Sequence, residues 1–201
     1  MRLDRAYFRR PACEVAPDLL GCSLHTLIDG LVASGRIVET EAYAGPDDLA
    51  SHAARLAKGR LAMAGPPGIV YVYRSYGIHA MFNIVCAPPG EHGAVLIRAL
   101  APMDGVDVMA HRRGVVEKEL LCAGPGRLCQ AMGIKLSHDG TDLVESDLIW
   151  LSRGIPPVEI RVSERIGISR AKESPWRFFD PESRSVSAHR RGSTFVSVPG
   201  W

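Results

Sequence analysis

The chain has 201 residues, 46% hydrophobic and 23% charged, with 24 Lys+Arg against 22 Asp+Glu. This length predicts one domain over 1–201, able to bury about 70% of the surface that its unfolded chain exposes without staples. No run approaches the 18 apolar residues of a membrane span, and the charged start Met1-Arg2-Leu3-Asp4-Arg5 lacks the apolar stretch of a secretory leader, so the expectation is a cytoplasmic protein without a membrane partner.

Pro17 is read as opening a short helix through Leu19-Leu20-Gly21. Ser23 to Ile28 and Leu31 to Glu41 read as two strands around Asp29-Gly30, a pair that favours hairpin turns because both residues tolerate positive φ. Residues 46–68 read as a long loop with a short helix near Leu49–Leu61, and loops of that length are usually functional. Three β-rich runs follow at Ile69–Tyr73, Ile78–Cys86 and Ala94–Leu100, then helical pattern at Met103–Arg112 and Val116–Leu121. Gly124-Pro125-Gly126 breaks the pattern before a short helix at Arg127–Met132. Short strands return at Asp147–Leu151, Val158–Val162 and Thr194–Val198. The order has no βαβ rhythm, so the expected class is α+β with a mixed, largely antiparallel sheet flanked by short helices.

Neither GxGxxG nor GxxxxGK[ST] occurs, so no nucleotide cofactor is expected. The cysteines, Cys13, Cys22, Cys86, Cys122 and Cys129, are odd in number and form no CxxC. That pattern argues against a disulfide framework or a zinc site and for reduced, mostly core thiols. Of the 24 basic residues, 20 are Arg and four are Lys. Arg is the better partner for phosphates and planar hydrogen-bonding groups, although a GC-rich genome gives the same enrichment.

The acidic residues are unevenly spread. From Leu49 to Gly90, 42 residues, there is no Asp or Glu, while Arg55, Lys58, Arg60, Arg74, His52 and His79 lie there with three of the five Tyr. An uncompensated positive field is the footprint of a polyanion, and interleaved aromatics give bases a surface to stack on. A β-rich core segment would also be rich in Tyr. Tyr71 and Tyr73 share one face of their strand. Tyr76-Gly77 falls in the turn beyond, where an aromatic suits a wedge pushed between base pairs from the minor groove. Upstream, Glu39 and Glu41 share a strand face just before Tyr43, the turn Gly45-Pro46-Asp47-Asp48, and His52. Two close carboxylates suit acid–base chemistry; they equally suit a solvated strand face, and spacing alone does not choose between the two Glu.

These residues resemble a known family. Gly35-Arg36-Ile37-Val38-Glu39-Thr40-Glu41-Ala42-Tyr43, Gly45-Pro46-Asp47-Asp48 and Ser51-His52 are similar to the signature of the alkyladenine (3-methyladenine) DNA glycosylases. Tyr71-Val72-Tyr73 with Tyr76-Gly77 and Asn83, Arg98-Ala99-Leu100-Ala101-Pro102 and Ala123-Gly124-Pro125-Gly126-Arg127-Leu128-Cys129-Gln130 follow in the family's order. Arg165-Ile166-Gly167-Ile168 looks like its C-terminal strand, and the likeness spans residues 15–200.

The resemblance implies a curved sheet with a hairpin protruding toward the DNA minor groove. It implies a bacterial enzyme, acting at the nucleoid without cofactor, that flips damaged purines out of double-stranded DNA and hydrolyses the N-glycosidic bond. A monomer is the default expectation, because one small domain engages one lesion and the sequence offers no obvious apolar interface helix. Glu41 would activate the water and face the oxocarbenium-like sugar, with Arg98 holding the water or the carboxylate and keeping Glu41 ionised. Glu39 would be structural. Tyr43 and Tyr73 would sandwich the base, His52 pack its edge, Asn83 crowd the amine of normal guanine, and Tyr76 fill the gap in the duplex. Cationic 3-methyladenine and 7-methylguanine would leave faster than hypoxanthine or ethenoadenine. Lys58 is the only amine expected near the site and has no partner, so a monofunctional enzyme is expected.

The chain departs from the family pattern at 54–66, where Ala64 stands for a larger aromatic, and at His79, read as a core filler ahead of a phosphate ligand. It departs again from Ser174 to Arg191, where Arg177, Arg184, Arg190 and Arg191 are read either as phosphate contacts or as a basic surface loop. Three other readings compete: a non-catalytic nucleic-acid binder on the same scaffold, an all-α helix-hairpin-helix enzyme, and a protein-binding module. The pairing of Glu41 with Arg98 speaks against the first, and the β-rich middle against the second. The third would lack salt-dependent DNA affinity.

Overall fold

Asp29 and Gly30 take φ values of 57° and 74°, the left-handed pair that a tight hairpin turn demands. They join β1 (Ser23–Ile28) to β2 (Leu31–Tyr43), the 13-residue strand on which the fold is built. The computed structural model describes residues 1–187 and the two-residue strand Val196–Ser197. Ahead of the hairpin lie α1 (Arg5–Phe8) and α2 (Ala12–Asp18). Pro17 does not open a helix; it sits in the last turn of α2, which follows Pro11 as N-cap, and has no N–H to return to the Cys13 carbonyl.

The segment 46–68 holds two short helices rather than one, α3 (His52–Arg55) and α4 (Ala57–Met63), with Ser51 capping the first through its side chain. Then come β3 (Val70–Ser75), β4 (His79–Val85), β5 (Ala94–Pro102), α5 (Val106–Arg113) and α6 (Pro125–Met132). The helix expected at Val116–Leu121 is only a 3-10 turn at Lys118–Leu120, and α6 takes in Pro125 at its first position. The chain ends with β6 (Ile149–Ser152), β7 (Arg161–Ser163), β8 (Arg177–Phe179) and β9 (Val196–Ser197). The run from Arg165 to Ile168 is a turn, not a strand, because β7 stops at Ser163.

Every strand pairing among the described residues is antiparallel, so the sheet is not mixed. Nine strands form it in the order β3-β4-β5-β2-β8-β7-β9, with β1 also on β2 and β6 on β1. Alternation along β3 to β5 separates two faces. Val70, Val72, Phe82, Ile84, Val95 and Ile97 join the main core under α2, α5 and α6. Tyr71 packs in a smaller cluster with Met63 and Ala53, under α3 and α4. All five cysteines are free thiols, four of them buried, and no helix among the described residues is long and apolar enough to cross a membrane.

Candidate active site

Directly opposed residues make one row across the sheet. Tyr71 faces Asn83, Asn83 faces Leu96, Leu96 faces Glu41, Glu41 faces Arg177, and Arg177 faces Ser163. Residues that pair across a ladder point to one side, so strands distant in sequence deliver their side chains to one place. Next to this row the β2–β5 ladder is irregular. Ile37 pairs with Leu100 and Glu39 with Ala99, which skips Val38; Thr40 pairs with Ile97, which skips Arg98. Each skipped residue is a bulge, a device that re-aims a side chain.

Released in this way, Arg98 reaches both carboxylates. Its Nε donates to Glu39 Oε1 at 3.0 Å and its Nη1 lies 3.2 Å from Glu41 Oε1. Glu41 also accepts the Ile166 N–H on Oε1 at 2.7 Å and the Tyr43 hydroxyl on Oε2 at 2.8 Å. Glu41 itself is fully buried, but Tyr43, Arg98 and Ile166, the three groups that hold it, all line a cleft of about 870 Å³. Burial, reinforced by the Glu41 carboxylate, pushes the Tyr43 phenol well above its ordinary value, so Tyr43 stays a donor.

The same cleft is lined by His52, Tyr71, Tyr73, Tyr76 and Asn83. His52 tilts against Tyr73 with ring centroids 4.3 Å apart, and its Nδ1 meets the Tyr71 hydroxyl at 3.0 Å. Burial, with Arg55 nearby, lowers its pKa and keeps the ring neutral at neutral pH. Burial pushes Tyr73 up to about 12. Asn83 donates its amide to Tyr71 O and Met81 O, which fixes its orientation in the wall. The seven site residues expected from the sequence therefore lie together, Glu41 one layer behind the others.

Several neighbours were not foreseen. Arg165 makes a bidentate pair with Asp48, at 2.6 and 2.9 Å, and lies 4.8 Å from the Tyr43 ring and 5.0 Å from that of Trp176. Arg177 is fully buried and donates to Glu39 Oε1 at 2.7 Å, so it is neither a phosphate contact nor a surface group, whereas Arg184 is exposed. Arg190 and Arg191 lie outside the described residues. The amine on the cleft wall is Lys172 and not Lys58, which is exposed on α4. His79 is exposed and fills no core; its ring lies against Gly126, where a Cβ would come within 3.1 Å of it. Among the described residues no group of three His, Cys, Asp or Glu forms a metal cluster.

A buried carboxylate held by an Arg thus sits behind a tyrosine-lined cleft on an antiparallel sheet. The methylpurine-DNA glycosylase family matches residues 6–184. Among curated relatives, a protein of Rhodopseudomonas palustris (strain BisB18) named as a candidate 3-methyladenine DNA glycosylase is 45% identical, over 98% of this chain and 92% of its own length. Relatives of the same name in Granulibacter bethesdensis (strain ATCC BAA-1260 / CGDNIH1) and Chlorobaculum parvum (strain DSM 263 / NCIMB 8327) are 49% and 44% identical, each over 96% of this chain and over 91% and 93% of their own lengths. The chain belongs to the methylpurine-DNA glycosylase family, whose members are hydrolases of N-glycosyl bonds.

Proposed function

We propose that the whole chain works as a single, monomeric glycosylase domain that releases alkylated purines from double-stranded DNA, 3-methyladenine and 7-methylguanine foremost. The observation that carries this reading is the Glu41 carboxylate, gripped by Arg98, Tyr43 and Ile166 N–H, just behind an aromatic cleft. A target base inside the stack has to be flipped out, at a cost of a few kcal/mol. Tyr76, 86% exposed at the tip of the β3–β4 hairpin, is suited to occupy the gap from the minor groove. Tyr43 and Tyr73 give the flipped base flat walls, which also favour a cationic ring. Asn83, in the cleft wall, is suited to crowd the exocyclic amine of normal guanine.

A carboxylate offers about four acceptor sites, and three donors hold Glu41 here. The remaining site suits a water aimed at the anomeric carbon, while the negative charge faces the developing oxocarbenium ion. The aromatic wall offers no strong acid, since burial keeps His52 neutral and Tyr73 protonated. Bases that already carry a positive charge need none; hypoxanthine and ethenoadenine do, and leave more slowly. The water held at Glu41 is the nucleophile in this reading, so the product is an intact abasic strand.

The test is base release from methylated duplex DNA and from a hypoxanthine duplex, by wild type and Glu41→Gln. Wild type should release 3-methyladenine faster than hypoxanthine and leave strands that break only in alkali. The variant should lose ~10²-fold or more, the scale of a missing general base. Equal rates for the two bases, or an undiminished variant, would contradict the mechanism. No release by wild type would contradict the activity.

A further inference from the structure

Behind the cleft wall four side chains alternate in charge: Glu41, Arg98, Glu39 and Arg177, each 5% exposed or less. Glu39 is the hub. Its Oε1 accepts from Arg98 Nε at 3.0 Å, from Arg177 Nε at 2.7 Å and from the Ser187 hydroxyl at 2.8 Å, and its Oε2 from the Ser187 N–H at 2.8 Å. Burial would push its carboxyl up, but the guanidiniums of Arg98 and Arg177, with the Ser187 amide, outweigh burial and hold it below its ordinary value.

We propose that Glu39, braced by Arg177 and Ser187, is a positioning residue that fixes the Arg98 guanidinium against Glu41. The inference rests on the reading of Glu41 as the base. Four donors already take the Glu39 oxygens and leave no acceptor site for a water, whereas three hold Glu41. Its position decides the angle of Arg98 instead. A planar fork gripped at Nε is left one orientation for Nη1, and that orientation meets Glu41.

Arg177 supplies the missing charge. With Arg98 alone, two buried carboxylates would compete for one cation; with Arg177 the four groups are neutral together. This arrangement is a poor way to gain stability. Apolar side chains of like volume often replace buried ion pairs at no loss, and Arg177 leaves its Nη2 without a partner among the described residues. The two ladder irregularities at Val38 and Arg98 sacrifice regular pairing at the same place. What the arrangement gives is a fixed geometry at the base.

The experiment measures single-turnover release of 3-methyladenine, affinity for lesion duplex and thermal stability for Glu39→Gln, Arg177→Met and Ser187→Ala, and places Glu39→Gln also in an Arg98→Lys background. Misplacing a catalytic group by about 1 Å costs on the order of 10²-fold. Glu39→Gln and Arg177→Met should therefore lose about 10- to 100-fold in rate, with duplex affinity unchanged within about 2-fold. Ser187→Ala, which keeps every charge, should lose about 3-fold. Because Glu39 acts through the Arg98 fork, adding Glu39→Gln to Arg98→Lys should cost no further rate. Multiplicative losses in the double variant would overturn the proposal, as would parallel losses of rate and affinity. If the charge variants do not fold, Ser187→Ala decides: lowered stability at an unchanged rate overturns it. If wild type itself releases nothing, the reading of the site fails and the proposal with it; an active wild type with unaltered variants overturns the proposal alone.

Discussion

Tyr76 carries a φ of 50° and Gly77 one of 72°, and the Ile78 N–H closes the turn on Ser75 O at 3.2 Å. Glycine takes such a backbone freely, whereas an aromatic residue there stores on the order of 1 kcal/mol or more. The ring gains nothing in exchange from the fold, because it is 86% exposed. Strain without burial is what a side chain meant for another molecule looks like. Tyr76→Asn keeps a residue that tolerates the left-handed region. Its melting temperature should equal or slightly exceed that of wild type. Excision from duplex DNA should fall by the loss of one stacking contact, ~1–3 kcal/mol, while excision from a single-stranded lesion should hardly change. Equal losses on the two substrates would mean that the ring does not act as a wedge.

At the scale of elements, β2 does most of the assembling. It carries Glu39, Glu41 and Tyr43, and their two-residue spacing made a shared site readable from the sequence. The hairpins at Asp29-Gly30 and Tyr76-Gly77, and the strands around Tyr71 and Asn83, were legible for the same reason: turn chemistry and alternation are local signals. What bridges distant segments was not legible. The run from Arg165 to Ile168 has the look of a strand, because nothing local says that Ile166 turns its N–H to Glu41. Arg177 left one unused signal, a charge inside Trp176-Arg177-Phe178-Phe179; a cation in an aromatic run asks for a buried anion. The short strand β8 around it had no alternation long enough to read.

The Asp48–Arg165 pair ties the turn after β2 to the turn after β7. Asp48 also accepts from the Ala44 and Ala50 N–H groups, so one carboxylate organises the whole 44–50 turn. Its side chain is 2% exposed and that of Arg165 0%. Removing one partner from a buried pair strands the other, at about 3–5 kcal/mol. Asp48→Asn should lower the unfolding free energy by that amount in urea titration. It should also loosen Tyr43, whose ring lies against Arg165. A loss under 1 kcal/mol would mean that water or a new partner reaches Arg165, and that the clamp is not what joins the two turns.

For the whole molecule these placements set a response to acid. The unfolded chain protonates Glu39 near 4.5, while the two guanidiniums keep it ionised in the fold to lower pH. In that window the unfolded state binds more protons, so stability falls as pH falls from about 4.5 through the folded value. His52 works in the same direction from a higher start. Burial, then Arg55, lowers its pKa from 6.5, so the unfolded chain takes that proton first and stability erodes as pH drops below 6.5. His25 and His138, lowered first by burial, add to the upper window. A series of thermal melts from pH 8 downward should therefore be level at first, decline below 6.5 and steepen below 4.5. Glu39→Gln should start lower at every pH, because it leaves two buried guanidiniums to a single carboxylate. Its steep acid arm should nevertheless be shallower than in wild type, while the histidine arm stays. If both proteins steepen alike below 4.5, the acid sensitivity belongs to surface carboxylates such as Asp142, which Arg5 holds low, and the buried quartet is silent in the stability of the fold.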